Sequence, residues 1–126
     1  MTEAPRILLV DDDPAVRSSL AFALELEGFE VETFETGESL TTRKDRPGDA
    51  CLVLDYRLPG MNGLCLLEQL RSRGIRLPAV IITSNPTRSM RRTVAQAGAE
   101  LIEKPLLCDA LSLGIKSLIS SRAAGI

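Results

Sequence analysis

The chain contains no histidine. That removes the usual general base and the commonest transition-metal ligand, and it excludes a histidine that passes on a phosphoryl group. No apolar run approaches the roughly 18 residues that span a bilayer, and no charged-then-apolar leader opens the sequence. The expectation is a soluble, cytoplasmic protein with no membrane partner. A basic field is missing too: 15 Lys and Arg against 17 Asp and Glu give a net charge of -2 and a pI near 5.2, which argues against direct nucleic-acid binding. Cys51, Cys65 and Cys108 are an odd set without a C-x-x-C pair. They read as small buried hydrophobes in a reducing compartment. Internal repeats and low-complexity segments are absent as well, and 126 residues suffice for one domain but not two.

What is present is an alternation of short apolar runs with longer stretches of helical period, the pattern of β-α units around a parallel sheet. Ile7 to Val10 predicts a first strand. Asp13 then caps a helix with Pro14 at its first position, and Val16, Leu20, Ala23 and Leu24 mark the buried face up to a stop at Gly28. Phe29 to Phe34 predicts a second strand, followed by a short helix over about Glu38 to Arg43 and the polar turn KDRPGD. Cys51 to Leu54 is apolar throughout, as a central strand covered on both faces is, and it stops at Asp55. After the loop YRLPGMN the spacing predicts a helix near Gly63 to Arg73, a fourth strand from Ala79 to Ile82, and a helix from about Thr87 to Ala97. Leu101 and Ile102 give a short fifth strand, and a last helix runs from about Asp109 to Ser120 with Leu111, Ile115, Leu118 and Ile119 on one face.

In an open parallel sheet, ligands sit beyond the carboxyl ends of the strands, where strand order reverses. Those ends carry the chemistry here. The first strand delivers Asp11 and Asp12, the third Asp55, the fourth Thr83 with Ser84, and the fifth Lys104. Taken singly, each has an ordinary explanation as turn former, strand-end residue or solvated cation. As a set they place clustered acids, a hydroxyl and a cation on one rim. Two unit charges about 4 Å apart repel by roughly 1 kcal/mol in water and about 4 kcal/mol near a protein surface. A hard divalent cation such as Mg²⁺ offsets that repulsion, whereas zinc and copper lack their His and Cys ligands in this cluster. An aspartate facing such a metal can attack a phosphoryl group to form a mixed anhydride, and Asp55 stands alone to do so. Lys104 can then neutralise the phosphoryl oxygens and Thr83 can donate a hydrogen bond to one of them.

The segments LLVDDDP (Leu8 to Pro14), VLDYRLPGMNG (Val53 to Gly63), VIITS (Val80 to Ser84) and EKP (Glu103 to Pro105) resemble the receiver domain of bacterial two-component response regulators, the CheY-like superfamily. The likeness extends over about Arg6 to Ser120, and SLAFALELEGFEV with AGAELIEKPL further resembles the FixJ-like branch. It implies a flavodoxin-like, doubly wound α/β fold with a five-stranded parallel sheet in the order 2-1-3-4-5 and helices on both faces. That order is carried over from CheY, the standard example of it. The resemblance also implies that Asp55 takes phosphate from a sensor histidine kinase, a phosphotransfer protein or a small phosphodonor. Asp12, Asp55 and the backbone carbonyl of Arg57 would bind Mg²⁺, with Asp11 acting through water. Lys104 would pair with phosphoryl oxygens, and its bond to Pro105 would be cis. Thr83 would move inward and shift a surface on the fourth helix, fifth strand and fifth helix toward a downstream protein partner or a phosphorylation-dependent dimer. The expectation is one receiver domain over residues 1–126 without an output domain, a switch that catalyses only its own phosphorylation and dephosphorylation.

Leu101 departs from the pattern, because many family members carry Tyr or Phe there and leucine cannot make the aromatic swing. Arg57 and Asn85 occupy positions where the family varies phosphate lifetime. Arg88, Arg91 and Arg92 share one helix face, either as a solvated stripe or as a docking surface for an acidic partner. Two other readings stand beside the switch. Haloacid-dehalogenase-type phosphatases place a second Asp two residues after the nucleophile, where this chain has Arg57. A pseudo-receiver would bind partners without being phosphorylated, against which the intact set of Asp11, Asp12, Asp55, Thr83 and Lys104 argues.

Overall fold

The computed structural model describes residues 6–42, 50–104 and 114–119. Along the chain run β1 (Arg6–Val10), α1 (Pro14–Leu26), β2 (Glu30–Phe34), α2 (Gly37–Thr41), β3 (Ala50–Asp55), β4 (Arg57–Leu58), β5 (Met61–Asn62), α3 (Gly63–Ser72), β6 (Ala79–Thr83), α4 (Arg88–Gln96) and β7 (Glu100–Glu103). Residues 114–119 are helical and are called α5. Five strands pair in parallel in the order β2-β1-β3-β6-β7, while β4 and β5 form a separate antiparallel hairpin. With the hairpin set aside, this is the expected order 2-1-3-4-5.

The period of two along each strand divides the core into two layers. Leu8, Val10, Leu52, Leu54 and Ile81 face Leu40 of α2, Leu64, Leu67 and Leu70 of α3 and Val94 of α4. Ile7, Leu9, Val53, Val80 and Ile82 face Leu20 and Leu24 of α1 and Ile115 of α5. Helices therefore cover both faces, which is why β1, β3 and β6 are apolar without alternation. Each fully buried Leu, Ile or Val contributes about 1.5–3 kcal/mol relative to exposure. No described helix is long and apolar enough to cross a membrane.

Local sequence sets the helix starts. Asp13 caps α1 by accepting from the backbone N–H groups of Ala15 at 2.9 Å and Val16 at 3.3 Å, with Pro14 following at the first helical position. Thr36, Asn62 and Thr87 cap α2, α3 and α4 in the same way.

Several boundaries and faces differ from the sequence reading. Thr83 and Asp55 lie inside their strands, Phe29 is a core residue preceding β2, and the loop YRLPGMN holds the β4–β5 hairpin. Ala23 is exposed, because Val16, Leu20, Ala21 and Leu24 make the packed side of α1 and Ala23 stands on its flank; Phe22 and Leu26 are exposed as well. Cys51 is buried, and desolvation pushes its thiol up to about 12, which makes it inert. Cys65 is exposed, contrary to the expectation of a buried hydrophobe, because Leu64, Leu66, Leu67 and Leu70 occupy the inward side of α3. Arg43, the turn KDRPGD, Pro105 and its peptide bond, Cys108, Asp109 and Leu111 lie outside the described residues.

Candidate functional site

Register brings the chemistry-bearing residues together. Val10 of β1 pairs with Leu54 of β3, so Asp11 and Asp55 are the next residues on adjacent strands. On the other side Asp55 pairs with Ile82, and Thr83 pairs with Glu103. The Lys104 N–H then donates to the Thr83 carbonyl at 2.8 Å, holding the residue after β7 against the end of β6. Four strand ends thus meet on one rim.

One carboxylate oxygen from each of Asp11, Asp12 and Asp55 lies within 4.8 Å of the others. Asp11 is fully buried, Asp55 is 6% exposed, and Asp12 faces solvent. The Lys104 Nζ donates to Asp55 Oδ2 at 3.3 Å, and Asp55 Oδ1 accepts from the Arg57 N–H at 3.2 Å. Asp11 Oδ1 accepts from the Asp13 N–H at 3.0 Å. Its Oδ2 is buried without a hydrogen-bond partner, and Lys104 Nζ stands 3.9 Å away, near enough to attract but too far to donate. An all-oxygen donor set with an orphaned buried carboxylate oxygen fits a hard divalent cation.

Burial raises the Asp11 carboxyl above its ordinary value of 3.8; the Asp13 hydrogen bond opposes this, Asp55 reinforces it, Lys104 opposes it, and Asp12 reinforces it. A carboxyl raised in the fold holds its proton more tightly when folded than when unfolded. Its ionisation therefore costs stability as pH climbs from about 3.8 through the folded value, and the cost is complete above that value. A buried polar group left unsatisfied costs about 1–3 kcal/mol, and a charged one more. In the absence of divalent cations, Asp11→Asn is expected to raise Tm by roughly 5 °C at pH 7. Excess Mg²⁺ should stabilise the unsubstituted protein more than the variant, narrowing or reversing the gap. Thermal unfolding in chelator and in Mg²⁺ checks both signs, and a lower Tm for the variant in chelator would contradict them.

The other sequence-selected residues fall at or beside the rim. Thr83 is buried, and its hydroxyl donates to the Ser84 carbonyl at 3.2 Å. Arg57 has an exposed side chain on β4, and Asn85 adopts the left-handed region at φ 48°, which asparagine tolerates well. Leu101 is half-buried against the core layer under α3 and α4. All three arginines of the stripe are exposed, and Arg91 also donates to Glu103 Oε1 at 3.0 Å, tying α4 to the residue preceding Lys104.

Two contacts that the sequence reading did not foresee also shape the site. A Cβ at Gly63 would lie 2.5 Å from the Asp55 carbonyl oxygen, so only glycine lets α3 begin against the back of β3. Arg17 of α1 donates from Nη1 to the Asp11 carbonyl at 2.8 Å. Its signal was a cation near the start of a helix, where the macrodipole disfavours one.

Comparison with known proteins agrees with this geometry. The model of the response regulator receiver domain family matches residues 7–116. Response regulator MprA of Mycobacterium leprae is 42% identical over 117 residues, covering 90% of this chain and 50% of that protein. The chain spans half or less of the length of the first curated relatives it matches. FixJ-N is 31% identical with a TM-score of 0.86, covering 94% of this chain and 96% of that one. Full-length FixJ from B. japonicum has the same identity and a TM-score of 0.88, with 98% of this chain and 63% of that one covered. TrrA from Thermotoga maritima, solved in complex with Mg(2+)-BeF, is 29% identical with a TM-score of 0.78, covering 90% of this chain and 98% of that one. The FixJ likeness supports the branch expected from the sequence. By family match, sheet order and the composition of its rim, the chain belongs to the response regulator receiver domain family of two-component signalling.

Proposed function

We propose that the chain is a phosphorylation switch in which Asp55 accepts a phosphoryl group with the help of Mg²⁺. The observation that carries this reading is the placement of Lys104 Nζ 3.3 Å from Asp55 Oδ2, beside three acids whose oxygens lie within 4.8 Å. An Asp55 oxygen attacks phosphorus, and the bond from phosphorus to the donor's nitrogen or oxygen breaks. The electron pair leaves with the donor, a sensor histidine kinase, phosphotransfer protein or small acyl phosphate. Asp12, Asp55 and the Arg57 carbonyl would hold Mg²⁺, with Asp11 acting through water, and the ion when bound would supply positive charge against the phosphoryl oxygens. The Mg(2+)-BeF complex of TrrA supports that choice of ion.

Lys104 trades its contact with Asp55 for the incoming phosphoryl oxygens, and Thr83 turns its hydroxyl from Ser84 toward them. Because the Lys104 N–H is bound to the Thr83 carbonyl and Glu103 is paired with Arg91, a shift at the rim reaches β7 and α4 directly. The surface formed by α4, β7 and α5 is then the downstream face, for a protein partner or a second copy of the chain. Residues 1–126 act as one cytoplasmic receiver domain that catalyses only its own phosphorylation and dephosphorylation. Incubation with acetyl phosphate and Mg²⁺, read by intact mass, should show a gain of one phosphate that requires the metal. No gain would instead favour a pseudo-receiver, and sustained turnover of the phosphodonor without accumulation would favour a phosphatase.

A further inference from the structure

One cation beside the acids is left over after the switch is assigned. Arg17 is the fourth residue of α1, where the N-terminal end of the helix dipole disfavours positive charge. Its guanidinium nevertheless turns back, half-buried, and donates to the Asp11 carbonyl at 2.8 Å. We infer that Arg17 is a positioning residue for the divalent cation, fixing the Asp11 backbone so that its unpartnered Oδ2 stays directed at the metal; this rests on the function proposed above.

Asp11 lies one residue beyond β1, where regular strand pairing ends and its peptide groups need other partners. Three contacts supply them. Its N–H donates to the Phe34 carbonyl at 3.2 Å, its Oδ1 accepts from Asp13, and its carbonyl accepts from Arg17. The first two tie Asp11 to β2 and to the turn before α1. Only the third ties it to the body of α1, whose inner side is anchored in the core by Leu20 and Leu24. Groups that orient metal ligands from outside the coordination sphere typically change affinity by about 10–100-fold when removed.

A charge effect and a positioning effect at Arg17 have opposite signs. If its charge is all that matters, removing it lessens repulsion of a nearby cation and tightens Mg²⁺ binding. If it positions Asp11, removing it weakens binding. Calorimetric titration with Mg²⁺ distinguishes the two, using the full chain, Arg17→Gln, Arg17→Lys and Arg6→Gln. Arg6→Gln removes the same charge at the far end of β1, where Arg6 pairs with Glu30 at 3.8 Å.

The expected result is about tenfold weaker binding in Arg17→Gln, a smaller loss in Arg17→Lys and less than a twofold change in Arg6→Gln. Circular dichroism and thermal unfolding in chelator establish that each variant is folded. If Arg17→Gln does not fold, Arg17→Lys decides the question, since an ammonium keeps the charge but not the planar reach. Unchanged or tighter binding in a folded Arg17 variant overturns the inference alone. An unsubstituted chain that binds no Mg²⁺ overturns the proposed function and the inference with it.

Discussion

Asp55→Asn is expected to abolish the phosphate gained from acetyl phosphate and Mg²⁺, leaving an intact mass that does not change over the labelling period. The substitution is nearly isosteric, and the amide oxygen can still accept from the Arg57 N–H that Asp55 Oδ1 holds at 3.2 Å. The fold should persist, while the nucleophile is lost together with one carboxylate of the Mg²⁺ site. An amide carries no negative charge and does not form the acyl phosphate. The result is informative because two other carboxylates stand within 4.8 Å. Asp11 is closed off by burial, whereas Asp12 is exposed and open to a small phosphodonor. Phosphate retained in Asp55→Asn would therefore transfer the acceptor role to a neighbour. Loss of phosphate in a variant that unfolds as the unsubstituted chain does and still binds Mg²⁺ by calorimetric titration assigns the role to Asp55.

The elements most legible in the sequence were those whose physics is repeated along the chain. Ile7 to Val10, Cys51 to Leu54 and Ala79 to Ile82 are apolar at every position, as short strands covered on both faces are. Parallel strands also put their carboxyl ends on one side. Asp11, Asp12, Asp55, Thr83 and Lys104 could therefore be grouped before any distance was known. Asp55 stood out as the lone acid at its strand end, whereas the order of the strands and the division of the metal ligands came from the family resemblance. Features that depend on a single contact were not legible. The β4–β5 hairpin has two residues per strand, too few for a periodic signal. Cys65 and Ala23 are exposed because larger leucines beside them take the inward positions, a competition that a residue's own hydrophobicity does not reveal. The Arg17 contact joins a side chain to a backbone carbonyl six residues away, and no residue type at Asp11 announces where its carbonyl points.

Gly63→Ala is expected to destabilise the fold by about 1–3 kcal/mol and to slow phosphorylation of the protein that remains folded. The added Cβ would sit 2.5 Å from the Asp55 carbonyl oxygen, 3.1 Å from its carbonyl carbon and 3.3 Å from the Tyr56 Cα. All three are backbone atoms, so no side-chain rotation relieves the overlap. Nor can α3 simply retreat, because the Gly63 N–H donates to the Tyr56 carbonyl at 2.8 Å and Asn62 caps the helix through the Cys65 N–H at 2.7 Å. The strain must then be taken up by the end of β3, which carries the Asp55 side chain. A loss of this size should lower Tm by roughly 5–15 °C. Gly37→Ala is the matched control. The atoms nearest its Cβ would be side-chain atoms of Leu66 and Met61 at 3.3 Å rather than backbone, and alanine favours the helix there. Its Tm should change by only a few degrees, with the phosphorylation rate preserved. If Gly63→Ala instead behaves like Gly37→Ala, the close approach of α3 to β3 is not what sets the position of Asp55.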